Sequence, residues 1–342
     1  MSAIILTMKV SELGEFGLID LLAKMAYGAR DKQSAPWQKL IVGIGDDAAV
    51  WHGDASIEIA TTDSLIEGVH FTLATTTWQE LGWKALAVSL SDIAAMGGVP
   101  QYALVSLGLP GDTKVADVAD LYRGMIELGQ QFDVAIVGGD TSSAPLVTLN
   151  TTVFGNSEGH ILTRSAARAG EQVAVTGYLG AAAAGLEVLS QQIPLEPQAS
   201  APLRQAFLRP YPRVAEGQLL AGLGVKAAID ISDGLISDLR HICQASKVGA
   251  RIEVDLVPVH PALKANLGNR SLELALSGGE DYELLFTAGT GVIAKVTAQA
   301  ACPVTVIGRV VADETGKVTL VDREGKPVKP AKTGWQHFVS GN

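Results

Sequence analysis

A chain of 342 residues with 47 % apolar and 18 % charged residues and 37 glycines has room for two globular domains of about 150 to 180 residues each. That composition excludes a disordered or fibrous protein. A formal net charge of −10, with no run of lysines and arginines to offset it, disfavours nucleic acid as a partner.

From the N-terminus, the apolar start Ile4 to Leu6 is interrupted by Lys9 and Glu12 and lacks a cleavage pattern, so no signal peptide is expected. Leu13 to Ala26 has helical spacing, with Phe16, Ile19, Leu22 and Ala23 on one face, and Arg30 to Gln38 reads as a loop. Strands are predicted at Ile57 to Thr61, Ala103 to Leu109, Ala135 to Val137 and Leu146 to Phe154, and helices at Gln79 to Met96 and Val115 to Gln131. The apolar stretch Ala85 to Leu109 contains Asp92, two adjacent glycines and Pro100. It therefore reads as a buried helix, a turn and a strand, not a membrane span. This alternation defines an α/β fold of two domains, residues 1–158 and 159–342. Within the second, Gln191 to Pro202 reads as an exposed loop. Cys243 and Cys302 have neither zinc-ligand nor Cys-x-x-Cys spacing. They are expected as core thiols of a soluble protein in a reducing, cytoplasmic compartment.

Five aspartate motifs stand in glycine, small-residue or apolar contexts: Gly45-Asp46-Asp47-Ala48, Thr61-Thr62-Asp63-Ser64, Ser91-Asp92-Ile93, Gly138-Gly139-Asp140-Thr141 and Asp230-Ile231-Ser232-Asp233-Gly234. Any one aspartate can be a helix cap or a turn residue. Asp92 resists that reading because it falls within an apolar helical pattern, where a buried carboxylate needs a partner. Gathered at one site, carboxylates repel by roughly 4 kcal/mol per pair at about 4 Å and an effective dielectric near about 20 unless cations intervene. Hard oxygen donors without histidine or cysteine clusters favour Mg²⁺, an ion commonly shared with substrate phosphates. The implied chemistry is phosphate chemistry. No P-loop and no protein-kinase catalytic set occurs, and Gly43-Ile44-Gly45 lacks the dinucleotide spacing.

The motifs Gly14-Glu15-Phe16, Gly43-Ile44-Gly45-Asp46-Asp47, Thr62-Asp63, Gly68-Val69-His70-Phe71, Leu90 to Gly97, Gly138 to Thr141, Leu162 to Ser165, Asp230 to Leu235 and Ser277 to Leu284 together resemble the thiamine-monophosphate kinase family in order and spacing. The likeness runs to Trp335-Gln336-His337-Phe338. It implies the two-domain fold shared with aminoimidazole ribonucleotide synthetase, in which N-terminal strands contribute to a homodimer and ATP binds at the dimer interface. It further implies Mg²⁺-dependent phosphorylation of thiamine monophosphate by ATP, the final step of thiamine diphosphate synthesis.

By the same resemblance, Asp47, Thr61, Thr62, Asp63, Asp92, Asp140, Asp230 and Asp233 are the magnesium ligands, with Asp47, Asp92 and Asp233 central to catalysis. Tyr122, Gly139, Asp140, Arg164 and Ser232 match ATP-contacting positions, and His70, Glu280 and Trp335 receive the thiamine portion. An aromatic ring and a carboxylate suit a cationic heterocycle. Read without the family, His70 is a hydrogen-bonded strand-end histidine, Trp335 a packing anchor, and Asp46 a turn residue beside the ligand Asp47. Two other functions remain in view. One is a related ATP-dependent synthetase, although selenophosphate synthetase would carry a reactive cysteine near the start, and Cys243 is the first cysteine here. The other is a non-catalytic nucleotide or metal sensor, whose signature would be lost ligand residues.

Overall fold

The computed structural model describes residues 8–13, 15–31, 33–42, 50–53, 57–191, 193–268, 270–312, 315–332 and 334. It divides into two compact units, residues 1–93 with 99–158 and residues 94–98 with 159–342.

In the first unit, helices Val10–Leu13 and Glu15–Ala29 precede a short helix, Ala35–Lys39. That last helix falls in the stretch expected to be a loop. Pro36 lies in its first turn, where a missing N–H costs nothing and the fixed φ is already helical. Strands β1 (Leu40–Val42) and β2 (Val50–Trp51) pair with each other. The main sheet is built from β3 (Ile57–Ile66), β4 (Val99–Leu109), β5 (Ala135–Ser143) and β6 (Thr148–Ser157), in the order β3-β6-β4-β5. Only the β4–β5 pair is parallel. The chain between them crosses over through helix Val115–Gln131, as a parallel connection requires.

That helix forms where the sequence predicts it, because Val115, Val118, Ala119, Tyr122, Met125 and Leu128 recur at three- and four-residue intervals and are all buried. Helix Trp78–Ala95 is apolar on most of its surface and is buried along most of its length. The alternation of each strand is as informative. Thr62, Ser64, Ser106, Asp140, Ser142 and Asn150 are exposed, whereas Leu65, Val105, Leu107, Leu149 and Val153 are buried. At these positions one face of the sheet is therefore open and polar, and the other packs on the unit's core. Further along the first face Tyr102, Leu104 and Phe154 are covered by Trp37, Leu40 and Trp51.

The second unit is organised on a seven-stranded sheet. Its strands are β7 (Gln172–Thr176), β8 (Ala227–Asp230), β9 (Gly249–Glu253), β10 (Leu284–Ala288), β11 (Val304–Val311), β12 (Val318–Val321) and β13 (Pro327–Val328). The order is β13-β12-β9-β11-β7-β10-β8, antiparallel except for β9–β12. Strands β7 and β10, and the edge strand β8 beside them, are wholly or nearly wholly buried.

Gln191 to Pro202 is only partly the expected loop, because Pro197–Leu208 is a helix. Pro197 occupies its first turn, and of the buried pair Leu203 and Phe207, four residues apart, Phe207 clusters with Ala182 and Leu189 of the neighbouring helix Ala181–Leu189, while Leu203 joins the larger core with Ala181 and Ala184 of that helix. Burial of that face outweighs the donor lost at Pro202. Cys243 is buried, as expected of a core thiol, but Cys302 is half-buried. Among the described residues no helix is long and apolar enough to cross a membrane.

Candidate active site

The first acidic group forms between β3 and helix Trp78–Ala95. Thr61 and Asp63, two residues apart on β3, point to the helix-covered face. There Thr61 Oγ1 donates to Asp92 Oδ2, and Ser89 Oγ donates to Asp63 Oδ2 at 2.8 Å and is also 3.1 Å from the Thr151 carbonyl. Burial, and then the neighbouring Asp92 carboxylate, push Asp63 up to about 6 in spite of the Ser89 hydrogen bond. Two crowded carboxyls with a threonine hydroxyl beside them make a hard-oxygen set that fits Mg²⁺, and a cation here would relieve the repulsion.

Thr62 is one residue out of phase and lies on the open face, where its Oγ1 donates to Asn150 at 2.7 Å and meets Thr152 Oγ1 at 3.0 Å. Asp140 is exposed on the same face, and Ser142 Oγ donates to it at 2.9 Å. Thr61, Asp63 and Asp92 are thus brought together, while Thr62 and Asp140 are held apart from them. Gly139 explains the start of this exposed segment. With φ at +150°, a Cβ there would stand 1.8 Å from the Val105 carbonyl oxygen, so no side chain fits between β5 and β4. Tyr122 is buried in its helix, which raises its phenol pKa. The His70 ring accepts the Ile66 N–H through Nδ1 at 3.1 Å, just beyond the end of β3. Asp46, Asp47 and Trp335 lie outside the described residues.

The second acidic group is a loop in the second unit, where β8 ends at Asp230 and helix Leu235–Ser246 begins. The loop is held by an extension of the β8–β10 pairing. Ile231 N–H donates to the Glu283 carbonyl, Tyr282 N–H to the Ile231 carbonyl, and Glu280 N–H to the Ser232 carbonyl, at 2.8 to 2.9 Å. Glu280 and Tyr282 both take positive φ, 67° and 50°. Such strain in non-glycine residues is sustained only where surrounding contacts fix the backbone. Glu280 is thereby set beside Ser232, and Gly334 is close enough that a Cβ on it would be 2.8 Å from the Asp233 carbonyl.

Two buried side chains, Asp238 and Glu283, and the half-buried Asp281 support the loop, in roles that sequence reading did not assign. Asp238 accepts the N–H groups of Asp233 and Gly234, and burial, then Asp230 and Asp233, push its carboxyl up to about 8. Asp281 accepts from Gly180 and Ala182 at 2.7 and 3.3 Å, capping helix Ala181–Leu189 from a distant part of the chain, and burial pushes it up to about 7. Glu283 receives two bonds from Arg213, at 2.7 and 2.6 Å, and one from Thr176 at 2.7 Å. The exposed His241 brings a ring nitrogen within 4.8 Å of carboxylate oxygens of Asp233 and Asp238. Arg164 is exposed, and its carbonyl accepts from Ser246. Only the acidic spacing of Asp238 from Gly234, one helical turn on in an apolar stretch, was there to be read.

Residues 45–156 match the AIR synthase related protein, N-terminal domain, and residues 168–321 match the corresponding C-terminal domain. These two matches define the class, a two-domain AIR synthase related protein. The thiamine-monophosphate kinase of Escherichia coli K12 is 40 % identical over 306 residues, which are 87 % of this chain and 92 % of the relative. The crystal structure of the kinase from Stenotrophomonas maltophilia K279a aligns with a TM-score of 0.79 at 35 % identity, covering 91 % of this chain and 96 % of that one. AaThiL complexed with AMPPCP and TMP aligns with a TM-score of 0.75 at 35 % identity, covering 97 % and 99 %. The chain belongs to the thiamine-monophosphate kinase family.

Proposed function

We propose that this protein transfers the γ-phosphoryl group of ATP to thiamine monophosphate, yielding thiamine diphosphate, as a cytoplasmic homodimer that requires Mg²⁺. The observation that supports it most directly is the convergence of Thr61, Asp63 and Asp92 in a hard-oxygen set, in a chain that aligns over 97 % of its length with AaThiL complexed with AMPPCP and TMP. AMPPCP is an analogue of ATP that resists cleavage.

In this reading Asp47, Thr61, Thr62, Asp63, Asp92, Asp140, Asp230 and Asp233 hold several Mg²⁺ ions among them. Magnesium, when bound, neutralises phosphate charge and orients the reacting groups. Tyr122, Gly139, Arg164 and Ser232 serve the nucleotide, whereas His70, Glu280 and Trp335 receive the thiamine portion. Glu280 presents a carboxylate to the cationic heterocycle from a backbone locked against Ser232, and Trp335 offers a stacking face. The acceptor needs no strong base, because a phosphate monoester with its second pKa near about 6 is largely dianionic at neutral pH. Asp140 and Thr62 stand on the open face of the first unit's sheet, which the homodimer would cover.

Mass-spectrometric analysis of products with ATP, Mg²⁺ and either thiamine monophosphate or free thiamine tests the assignment. The diphosphate should form from the monophosphate alone, and faster phosphorylation of free thiamine would refute it.

A further inference from the structure

Helix Leu235–Ser246 begins without a capping side chain, because its first flanking residue is Gly234. The glycine is required there. Its φ is +117°, and a Cβ would lie 2.9 Å from the Ser277 carbonyl carbon and 3.1 Å from the Gly278 carbonyl oxygen. The serine, threonine or aspartate that ordinarily accepts the first helical N–H groups therefore has no room at that position. Asp238, one turn into the helix, reaches back instead to the two amides just before the helix. Its Oδ2 alone accepts both the Asp233 N–H at 3.1 Å and the Gly234 N–H at 3.0 Å.

This anchor is only 2 % exposed and shares its surroundings with the carboxylates of Asp230 and Asp233. A third carboxylate is a costly acceptor in such a place. Its hydrogen bonds fall on the consecutive amides of Asp233 and Gly234, the two that bracket the Asp233 Cα and carbonyl.

We propose that Asp238 is a positioning residue for the reaction: it fixes the backbone from which Asp233 projects, so that metal affinity depends on its acceptor oxygen and not on its charge as a ligand. The proposal rests on the reading of Asp233 as a magnesium ligand. Residues outside the coordination sphere that orient ligands commonly change metal affinity by about 10- to 100-fold when removed. Asparagine can keep an oxygen at the Oδ2 position, whereas alanine cannot.

Mn²⁺ binding to the full-length protein, followed by electron paramagnetic resonance, separates the possibilities when set beside melting curves in chelator and steady-state kinetics. Asp238→Ala should weaken Mn²⁺ about 10-fold and raise the Mg²⁺ needed for half-maximal turnover, with the KM for thiamine monophosphate little changed. Asp238→Asn should lie nearer the parent protein than the alanine variant in both readouts. A merely structural residue would lower the melting temperature and leave the affinity of the folded protein intact, which overturns the proposal. So does equal weakening by asparagine and alanine, which would make Asp238 a direct ligand. Asp233→Asn is the control. If it leaves Mn²⁺ affinity unchanged, the reading of the metal loop fails and the proposal with it, whereas an effect at Asp233 without one at Asp238 sinks the proposal alone. Should Asp238→Ala not fold, hydrogen exchange of the parent protein decides: the Asp233 and Gly234 amides should be protected, and exchange at the rate of an unstructured peptide overturns the anchor.

Discussion

Asp63 and Asp140 hang from opposite edges of one four-stranded sheet and from opposite faces of it. Across the sheet Asp63 lines up with Thr151, Val105 and Gly139, whereas Asp140 falls in the next row with Ser106, Asn150 and Ser64. Three strand spacings separate the edges, about 14 Å. Asp63 turns to Ser89 on the helix side, and Asp140 to Ser142 on the open side. Within one chain these two carboxylates do not form a single cluster, although the sequence presents them as equivalent members of one series.

That separation has a consequence in metal-free protein. Asp63 sits at about 6 when folded against an ordinary value of 3.8. The folded state therefore holds the extra proton between those values, and the associated stability is complete below the lower one and lost as pH rises through about 6. In chelator, Asp63→Asn should gain melting temperature relative to the parent between pH 5 and 8, measured as about the same shift by calorimetry and circular dichroism. Asp92→Asn should shrink the parent's pH-dependent loss, because it removes the second cause of the raised value, while Asp140→Asn should leave it intact. Equal responses to Asp92→Asn and Asp140→Asn would contradict the geometry. Added Mg²⁺ should invert the order, stabilising the parent and not Asp63→Asn.

The helix Val115–Gln131 was legible to the residue because its buried positions follow one period. Thr62 was not separable from Thr61 and Asp63 until the register of β3 against β6 put it across from Thr152. Pro197–Leu208 was misread because proline and serine are turn residues in isolation, and only packing against the helix Ala181–Leu189 reveals the apolar face of Leu203 and Phe207. The motif Ser277 to Leu284 was legible as a unit, yet the division of labour inside it was hidden. Glu280 faces the loop at Ser232, Asp281 caps a helix about a hundred residues earlier, and Glu283 meets Arg213. Those partners are fixed by tertiary packing, which local spacing does not encode.

The Arg213–Glu283 pair supplies a stability prediction. Both side chains are largely removed from solvent and meet in a two-pronged geometry, with Thr176 Oγ1 as a third donor to Glu283. Arg213→Ala strands a buried carboxylate and should cost about 3 to 5 kcal/mol, read from urea unfolding followed by tryptophan fluorescence. Arg213→Lys should lose less, since it keeps the charge and forfeits the fork. Equal and small losses for both would show that the pair does not support the Glu280 segment.

Gly139 sets a sharper test of the first unit. A Cβ at that position would overlap the Val105 carbonyl oxygen at 1.8 Å, and backbone cannot yield as a flexible side chain does. Gly139→Ala should separate β5 from β4 locally and accelerate hydrogen exchange in residues 138–142, with the second unit's exchange unchanged. Unaltered protection of that segment would count against the close approach.

The last prediction concerns the chemical step. A route through an aspartyl phosphate is chemically open, since carboxylates accept phosphoryl groups in other enzymes, and this protein has many. The surroundings of the described candidates argue against it. Asp63 is held by Ser89 and crowded by Asp92, which itself receives Thr61, while Asp233 has its backbone tied to Asp238. In the proposed reading these carboxylates share cations, and a metal-engaged oxygen is a weakened nucleophile. The acceptor, by contrast, brings its own dianionic oxygen at neutral pH, so a single in-line displacement suffices, in which the new oxygen–phosphorus bond forms as the bond to ADP breaks. Rapid acid quenching after mixing with γ-labelled ATP, with and without thiamine monophosphate, should place label in thiamine diphosphate and none on the protein within a turnover. Label appearing on the protein and passing to the product as fast as turnover would establish the covalent route.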